Sequence, residues 1–293
     1  MSHCVLIGGG SGLIGTRLTE VLLQKGHEVR HLGRKAKGAG QVKTFGWDIH
    51  RQTIDERAFD GVDIVVNLAG ANINDHRWTD AYKKEMLVSR TGSTQLIVNV
   101  LKERSGIQLI AGSAIGYYGF GNDAHWFRET DPPGNDFMAQ LTVEWEKVAD
   151  QLKNVTHIRT GIIVSSHGGA VEEMSKPIKF YVGSPLGTGK QIVSWIHLED
   201  ECGIIMHVIE NKLSGIFNAV APEPATNEEI TKEIAKKLKR PLLLPNVPAF
   251  ALGIILGDMS EQVLNGAKIS SDKIQSRGYK FQYRTIREAI LSI

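Results

Sequence analysis

The segment Ile7-Gly8-Gly9-Gly10-Ser11-Gly12-Leu13-Ile14-Gly15 constrains the fold of this chain more than any other. It follows a short unbroken apolar run, Cys4-Val5-Leu6-Ile7, which suits a parallel strand covered on both faces. It precedes Leu13, Ile14, Leu18, Val21 and Leu22 at helical spacing, with Gly26 placed to end the helix. Gly9, Gly12 and Gly15 therefore form GxxGxxG between a strand and a helix. The first glycine permits a sharp turn, the second lets backbone approach a pyrophosphate, and the third lets the helix pack close to the strand. Ser11, Leu13 and Ile14 open the helix, where unpaired N–H groups and the positive dipole end face the same phosphates. A bare glycine pattern is weak, but in this position it predicts a phosphate cradle.

Helix and strand alternate after that turn. Glu28 to Leu32, Val42 to Trp47 and Val62 to Leu68 read as strands, and a long amphipathic pattern runs from about Thr79 to Leu101. A strand at Gln108 to Ala111, a helix roughly from Met138 to Leu152 and a strand at Val155 to Ile158 continue the rhythm. Repeated βαβ units predict an α/β, doubly wound (Rossmann) parallel sheet over residues 1–165, completed by parts of 190–220. Beyond Gly161 the rhythm breaks at Gly168-Gly169, Pro177, Gly183, Pro185, Gly187 and Gly189, and loops of that length usually serve binding. Residues 166–293 are expected to form mainly a smaller, discontinuous C-terminal substrate-side region. Within it, Asn227 is expected to cap a helix that opens at Glu228-Glu229, ahead of Pro241, Pro245 and Pro248.

Composition narrows the class of partner. The 293 residues carry 34 Lys+Arg against 32 Asp+Glu, a formal charge of +2 that leaves no basic face for a nucleic-acid backbone. Cys4 and Cys202 are the only cysteines, with no CxxC pair and no His cluster, so neither a disulfide framework nor a metal site is expected. Both fall in apolar patterns and read as buried thiols of a reducing compartment. The chain runs from Met1-Ser2-His3 straight into a strand, and its longest apolar run, around Ala249 to Leu256, is too short to span a bilayer. A cytoplasmic protein without membrane or nucleic-acid partners is expected, its ligand an unknown small molecule. Nothing in the sequence marks an oligomeric state.

The second strand indicates the nucleotide. A site for NAD usually places Asp or Glu after that strand to bind the ribose 2′-hydroxyl, whereas here Gly33-Arg34-Lys35 follows Leu32. An arginine pairs bidentately with a 2′-phosphate that a carboxylate would repel, so NADP is the expected cofactor.

With Asn67-Leu68-Ala69-Gly70 after the fourth strand and Ser113 after the fifth, the chain resembles the extended short-chain dehydrogenase/reductases, the nucleotide-sugar epimerase group. More narrowly, it is similar to the atypical "epimerase family protein" branch of that group. The matching motifs are Asn67 to Ile73, Arg77-Trp78, Ser89-Arg90, Gly112 to Gly119, Trp145-Glu146, Pro185 to Gly189 and Trp195-Ile196-His197. The stretch from Pro245 to Tyr283 is similar to that branch's short C-terminal domain of unassigned function, here about residues 245–293. The resemblance implies that Asp48 approaches the adenine, that Leu68, Ala69 and Gly70 line the ribose and pyrophosphate, that Arg77 reaches the phosphates, and that Ile162 lies beside the nicotinamide.

The same resemblance exposes a departure. The group's usual chemistry needs Ser or Thr with Tyr-x-x-x-Lys, in which the tyrosine moves a proton and the lysine lowers its pKa and holds the ribose. Here Phe137 and Leu141 occupy that spacing, and neither carries a titratable atom. Ser113, Tyr117 and Tyr118 are the expected substitutes. His197 reads as a packed histidine and Asp200 as a helix cap. Two functions stay open: an NADP-dependent oxidoreductase or epimerase acting on a small polar carbonyl or sugar-like substrate, and an NADP(H)-binding sensor or scaffold without turnover. Relatives of the branch are sometimes labelled cell-division-associated, which belongs with the second.

Overall fold

The computed structural model describes residues 2–36, 40–121 and 125–293. Strand β1 (Cys4–Gly8) leads into α1 (Leu13–Gln24), then β2 (Glu28–Gly33), β3 (Lys43–Asp48) and a short β4 (Thr53–Ile54). Next come β5 (Ile64–Asn67), α2 (Asp80–Lys102), β6 (Gln108–Ala114), β7 (Trp126–Phe127), α3 (Phe137–Ala149) and β8 (Val155–Thr160). After β9 (Ile162–Val164) the chain forms α4 (Ala170–Lys179), β10 (Ile192–Val193), β11 (Trp195–His197), α5 (Leu198–Asn211) and β12 (Gly215–Ala219). It then forms β13 (Ala225–Thr226), α6 (Asn227–Leu238), α7 (Ala249–Leu256), α8 (Ser260–Leu264), β14 (Lys268–Ile269), α9 (Asp272–Ser276) and α10 (Ile286–Ser292).

Eight strands make the main sheet in the order β12-β8-β6-β5-β1-β2-β3-β4, parallel throughout except for β4 on β3. From β1 the chain winds outward through β2 and β3, then returns to the other side through β5, β6 and β8. That reversal opens a crevice at the carboxyl ends of β1 and β5, the usual ligand position in such sheets. The apolar run of β1 is explained by its two covered faces. Val5 and Ile7 join a core with Leu18 and Leu22 of α1 and Ile204, Ile205 and Val208 of α5. Cys4 and Leu6 join a second core with Leu96, Ile97, Val100 and Leu101 of α2. Both cysteines are buried thiols.

Of residues 190–220, β12 enters the main sheet, while β11 pairs with β9 and β10 with β13. A third apolar cluster ties α4, α6 and α10 together through Val171, Ile178, Ile230, Ile234 and Ile290. Asn227 is not the cap of α6. Thr226 caps it in a reciprocal box with Glu229, and Asn227 Oδ1 instead accepts the Leu186 N–H at 2.8 Å. No helix of the described residues is long and apolar enough to cross a membrane.

Helix α5 carries three consecutive acids with three different tasks. Glu199 pairs with Arg17 of α1 at 2.8 Å. Asp200 does not cap its helix; His197 does, its Nδ1 accepting the Glu199 N–H at 3.1 Å. The Asp200 carboxylate, fully buried, accepts the Tyr279 hydroxyl at 2.8 Å and the N–H groups of Gln282 and Tyr283 at 2.8 and 3.0 Å. It thereby fastens the C-terminal segment to α5. Glu201, also fully buried, accepts only the Thr160 hydroxyl at 2.8 Å, and its Oε2 has no partner. Burial pushes its carboxyl up to about 8.

Asp200→Ala leaves the Gln282 and Tyr283 N–H groups unpartnered and the Tyr279 hydroxyl with only the residue-200 carbonyl at 3.1 Å, so urea unfolding should show a loss of roughly 2–4 kcal/mol, with earlier proteolysis after residue 276. Unchanged stability would dismiss this anchor. Glu201 should make stability fall with rising pH. Below the ordinary value of 4.5 both folded and unfolded chains hold the proton; between 4.5 and about 8 only the unfolded chain ionises; above about 8 the loss levels off. Glu201→Gln should abolish that decline, on the order of a few kcal/mol, when urea curves at pH 5 and pH 8 are compared. Parallel declines in the two proteins would reject the assignment.

Candidate functional site

The backbone leaves β1 at Gly9 with φ of +80°, a region that L side chains rarely adopt. A Cβ at Gly9 would lie 2.8 Å from the Leu68 carbonyl carbon and 2.9 Å from Ala69 N, and one at Gly15 would lie 2.3 Å from the Gly9 carbonyl oxygen. These glycines press the turn onto Leu68-Ala69 and the helix onto the turn. Gly12 behaves differently, because a Cβ there would meet only the Gly9 carbonyl, at 3.3 Å. Its outer side is open. Gly12 is also the N-cap of α1, without a side-chain cap or an acidic residue in the first turn. The N–H groups of Leu13, Ile14 and Gly15 find no acceptor among the described residues. Three orphan donors and the dipole end thus converge beside exposed Ser11 and Gly12, as an anion site requires.

Other expected cofactor residues border this turn. Leu68 donates its N–H to the Gly8 carbonyl at 2.8 Å, which seats Leu68-Ala69-Gly70 beside the cradle. Ile162 opens β9 with 40% of its surface exposed, a high value for an isoleucine in a strand. The same strand reaches the cradle: a Cβ at Gly169 would lie 3.1 Å from the Ile163 carbonyl oxygen and 3.9 Å from the Leu13 side chain. Gly33 ends β2, and Arg34 beyond it is exposed, with no hydrogen bond or ion pair among the described residues. Asp48 ends β3, where its Oδ1 accepts the N–H groups of His50 and Arg51 at 3.0 Å each and so shapes the following turn. Arg77 is held elsewhere. Its guanidinium donates to the carbonyls of Ile254 and Ile255 in α7, which makes it a C-terminal tether in this conformation and not a phosphate contact.

The expected proton donors are engaged in a buried polar chain. Ser113, 4% exposed, donates to Glu146 Oε1 at 2.5 Å. Glu146 of α3 takes a bidentate pair of bonds from Arg159 of β8, both at 2.8 Å. Arg159 also donates to the Tyr118 hydroxyl at 2.9 Å, which itself donates to Asn218 Oδ1 at 2.7 Å. Tyr118 is therefore corrected from candidate acid to structural member: both roles of its oxygen are used and burial pushes it up to about 12. Ser113, with its proton committed to a carboxylate, retains only acceptor capacity toward the crevice. Tyr117 differs from both. Its ring lies under the Arg159 guanidinium at 3.4 Å, it is half-buried, and its hydroxyl has no partner among the described residues.

Phe137 and Leu141 close off the usual relay. Leu141 is buried with Trp78, Met86 and Met138, and Phe137 stands edge-on to Trp78 with ring centroids 5.5 Å apart. The Glu146–Arg159 pair, absent from the sequence-derived candidates, had a readable signal. Arg159 interrupts an otherwise core strand, and Glu146 falls one turn after Thr142 on the buried stripe of α3. Two opposite charges on facing buried elements are expected to pair.

Comparison with known proteins agrees with this architecture. Residues 5–219 match the NAD dependent epimerase/dehydratase family, and residues 247–293 match a domain of unknown function, DUF1731. The chain is 31% identical to mouse epimerase family protein SDR39U1 over 300 residues, covering 99% of each chain. It is 34% identical to epimerase family protein Mb2239 of Mycobacterium bovis over 294 residues, covering 98% of this chain and 96% of the relative. The crystal structure of human epimerase family protein SDR39U1 (isoform 2) with NADPH superposes with a TM-score of 0.87 at 29% identity, covering 99% of this chain and 98% of that one. The crevice, the glycine turn and these matches identify the chain as a member of the NAD dependent epimerase/dehydratase family that carries a C-terminal DUF1731 domain.

Proposed function

We propose that the chain binds NADP(H) across the β1/β5 crevice and acts as an oxidoreductase or epimerase on a small polar carbonyl or sugar-like substrate, with slow turnover. The observation that carries the nucleotide reading is the uncapped start of α1, three orphan N–H groups beside the open side of Gly12. Exposed Arg34 after β2, where an NAD site would place a carboxylate, supports the 2′-phosphate. The human relative's complex with NADPH points the same way. When bound, the cofactor supplies a hydride. The chain's own residues would orient it: the turn at Gly9 to Gly15 would hold the pyrophosphate, and exposed Ile162 would border the nicotinamide.

Slow turnover follows from the hydroxyl inventory. Tyr117 is the remaining candidate acid, and Leu141 stands where the group's usual relay places its lysine, so that relay is incomplete. The second reading, a nucleotide-binding sensor or scaffold without turnover, draws on the same observation, since Ser113 and Tyr118 serve the buried chain. Loss of NADPH absorbance with a panel of carbonyl compounds separates the two.

Calorimetry should find NADPH bound more tightly than NADH, with Arg34→Ala removing most of a preference of about tenfold to a hundredfold. Equal wild-type affinities would defeat the NADP assignment. Gly12→Val should leave a folded protein that no longer gains thermal stability from NADPH, because the side chain fills the open side of the cradle. A wild-type response in that variant would place the phosphates elsewhere.

A further inference from the structure

Arg90 lies on α2, one turn beyond Met86, and none of the contacts described so far uses it. Its guanidinium tucks against the loop after β5: a Cβ at Gly70 would lie 3.0 Å from Arg90 Cζ and 3.2 Å from Nε. On its other side stands Trp145, whose ring centroid is 5.4 Å away. Among the described residues the side chain donates to a single acceptor, the Met86 carbonyl of its own helix, at 3.1 Å. No carboxylate of the described residues lies within 4.0 Å of it. Arg159, a more deeply buried arginine at this end of the sheet, has a bidentate carboxylate. A half-buried guanidinium with most of its five donors unused is costly to keep unless an anion completes it.

The surroundings indicate where that anion comes from. Gly9 of the cradle abuts Leu68 and Ala69, Gly70 is the next residue, and Arg90 abuts Gly70. The guanidinium is therefore one loop residue removed from the phosphate cradle, at the lip of an exposed glycine. The neighbouring position on α3, Leu141, is apolar and packs with Met86, so the cation at this point of the crevice comes from α2. Burial pulls the guanidinium down to about 10, well above neutral pH, so it keeps its charge.

We propose that Arg90 is a ligand-binding residue that grips an oxyanion, namely the pyrophosphate of the bound dinucleotide on its nicotinamide side. This deepens the nucleotide reading and rests on it. An oxyanion in this place could also belong to an acidic substrate, and the two sources separate by experiment. The continuity from cradle to Gly70 to Arg90 favours the pyrophosphate.

The test is calorimetry on the full chain with two probes, NADPH and adenosine 2′-monophosphate, the second lacking a pyrophosphate. Arg90→Gln should weaken NADPH by about 10- to 100-fold and leave adenosine 2′-monophosphate unchanged, with Arg90→Lys falling between because it keeps the charge and loses the fork. Without ligand, the unfolding midpoint of Arg90→Gln should stay within about 3 °C of wild type, since no protein ion pair is broken. Wild-type NADPH affinity in Arg90→Gln overturns the assignment and turns attention to a substrate acid. Equal loss of both probes, or a collapse of the ligand-free midpoint, overturns it in favour of a structural role. A wild type that ignores NADPH overturns the nucleotide reading itself, and the pyrophosphate assignment with it.

Discussion

The close approach of two backbones at the end of β1 governs the rest of the molecule. Gly9 can take its positive φ and lie against Leu68 and Ala69 only because it has no Cβ, and Gly15 can sit on the Gly9 carbonyl for the same reason. If either contact were lengthened by a methyl group, α1 would lift from the sheet and its axis would no longer aim at the crevice. The dipole end, the orphan donors and the opening at Gly12 are consequences of that packing. Binding and folding therefore share a cause here: the apolar faces of β1 fix where α1 lies, and α1 determines where an anion is stabilised.

A second constraint works against chemistry. The carboxyl ends of β6, β8 and β12 are joined by the Ser113–Glu146–Arg159–Tyr118–Asn218 chain, each member hydrogen-bonded to the next. A buried carboxylate and guanidinium are tolerable only when their remaining donors and acceptors are filled, and the two hydroxyls fill them. A serine and a tyrosine that would serve a reaction as mobile donors are thus held as fixed partners of an ion pair. Tyr117 escapes because its ring, not its hydroxyl, meets Arg159. Of the three hydroxyls that the motif suggested, only that of Tyr117 has no partner among the described residues.

Much of this was legible in the sequence, for reasons that differ by element. The β1–turn–α1 unit was readable because its logic is local: an apolar run, glycines at fixed offsets, then helical periodicity. Alternation of strand and helix through Val155 gave the doubly wound class for the same reason. Side-chain direction was not readable. Arg77 stands in a family motif near the cofactor loop, yet it spends its donors on carbonyls of α7, a partner more than 170 residues away that no local pattern announces. Asp200 looked like a cap because acids favour helix starts. His197 took that place with a ring nitrogen, leaving the carboxylate for Tyr279, Gln282 and Tyr283. Thr226 displaced Asn227 by one residue, an ordinary boundary shift with a capping box as its cause.

The distribution of charge in the crevice joins these strands of argument. Three groups of donors border it without a counter-charge among the described residues: the start of α1, the Arg34 guanidinium and the Arg90 guanidinium. Arg159, nearby and deeper, is neutralised by Glu146. A site arranged to move protons needs an acid and base with adjacent pKa values, and here burial pushes Tyr118 up to about 12, away from neutrality. A site arranged to hold a polyanion needs fixed positive ends with nothing else to satisfy them, which is the pattern found. The physical design of the crevice thus favours grip over proton transfer. In this member of the family the crevice therefore presents uncompensated positive ends beside hydroxyls already committed to a buried ion pair.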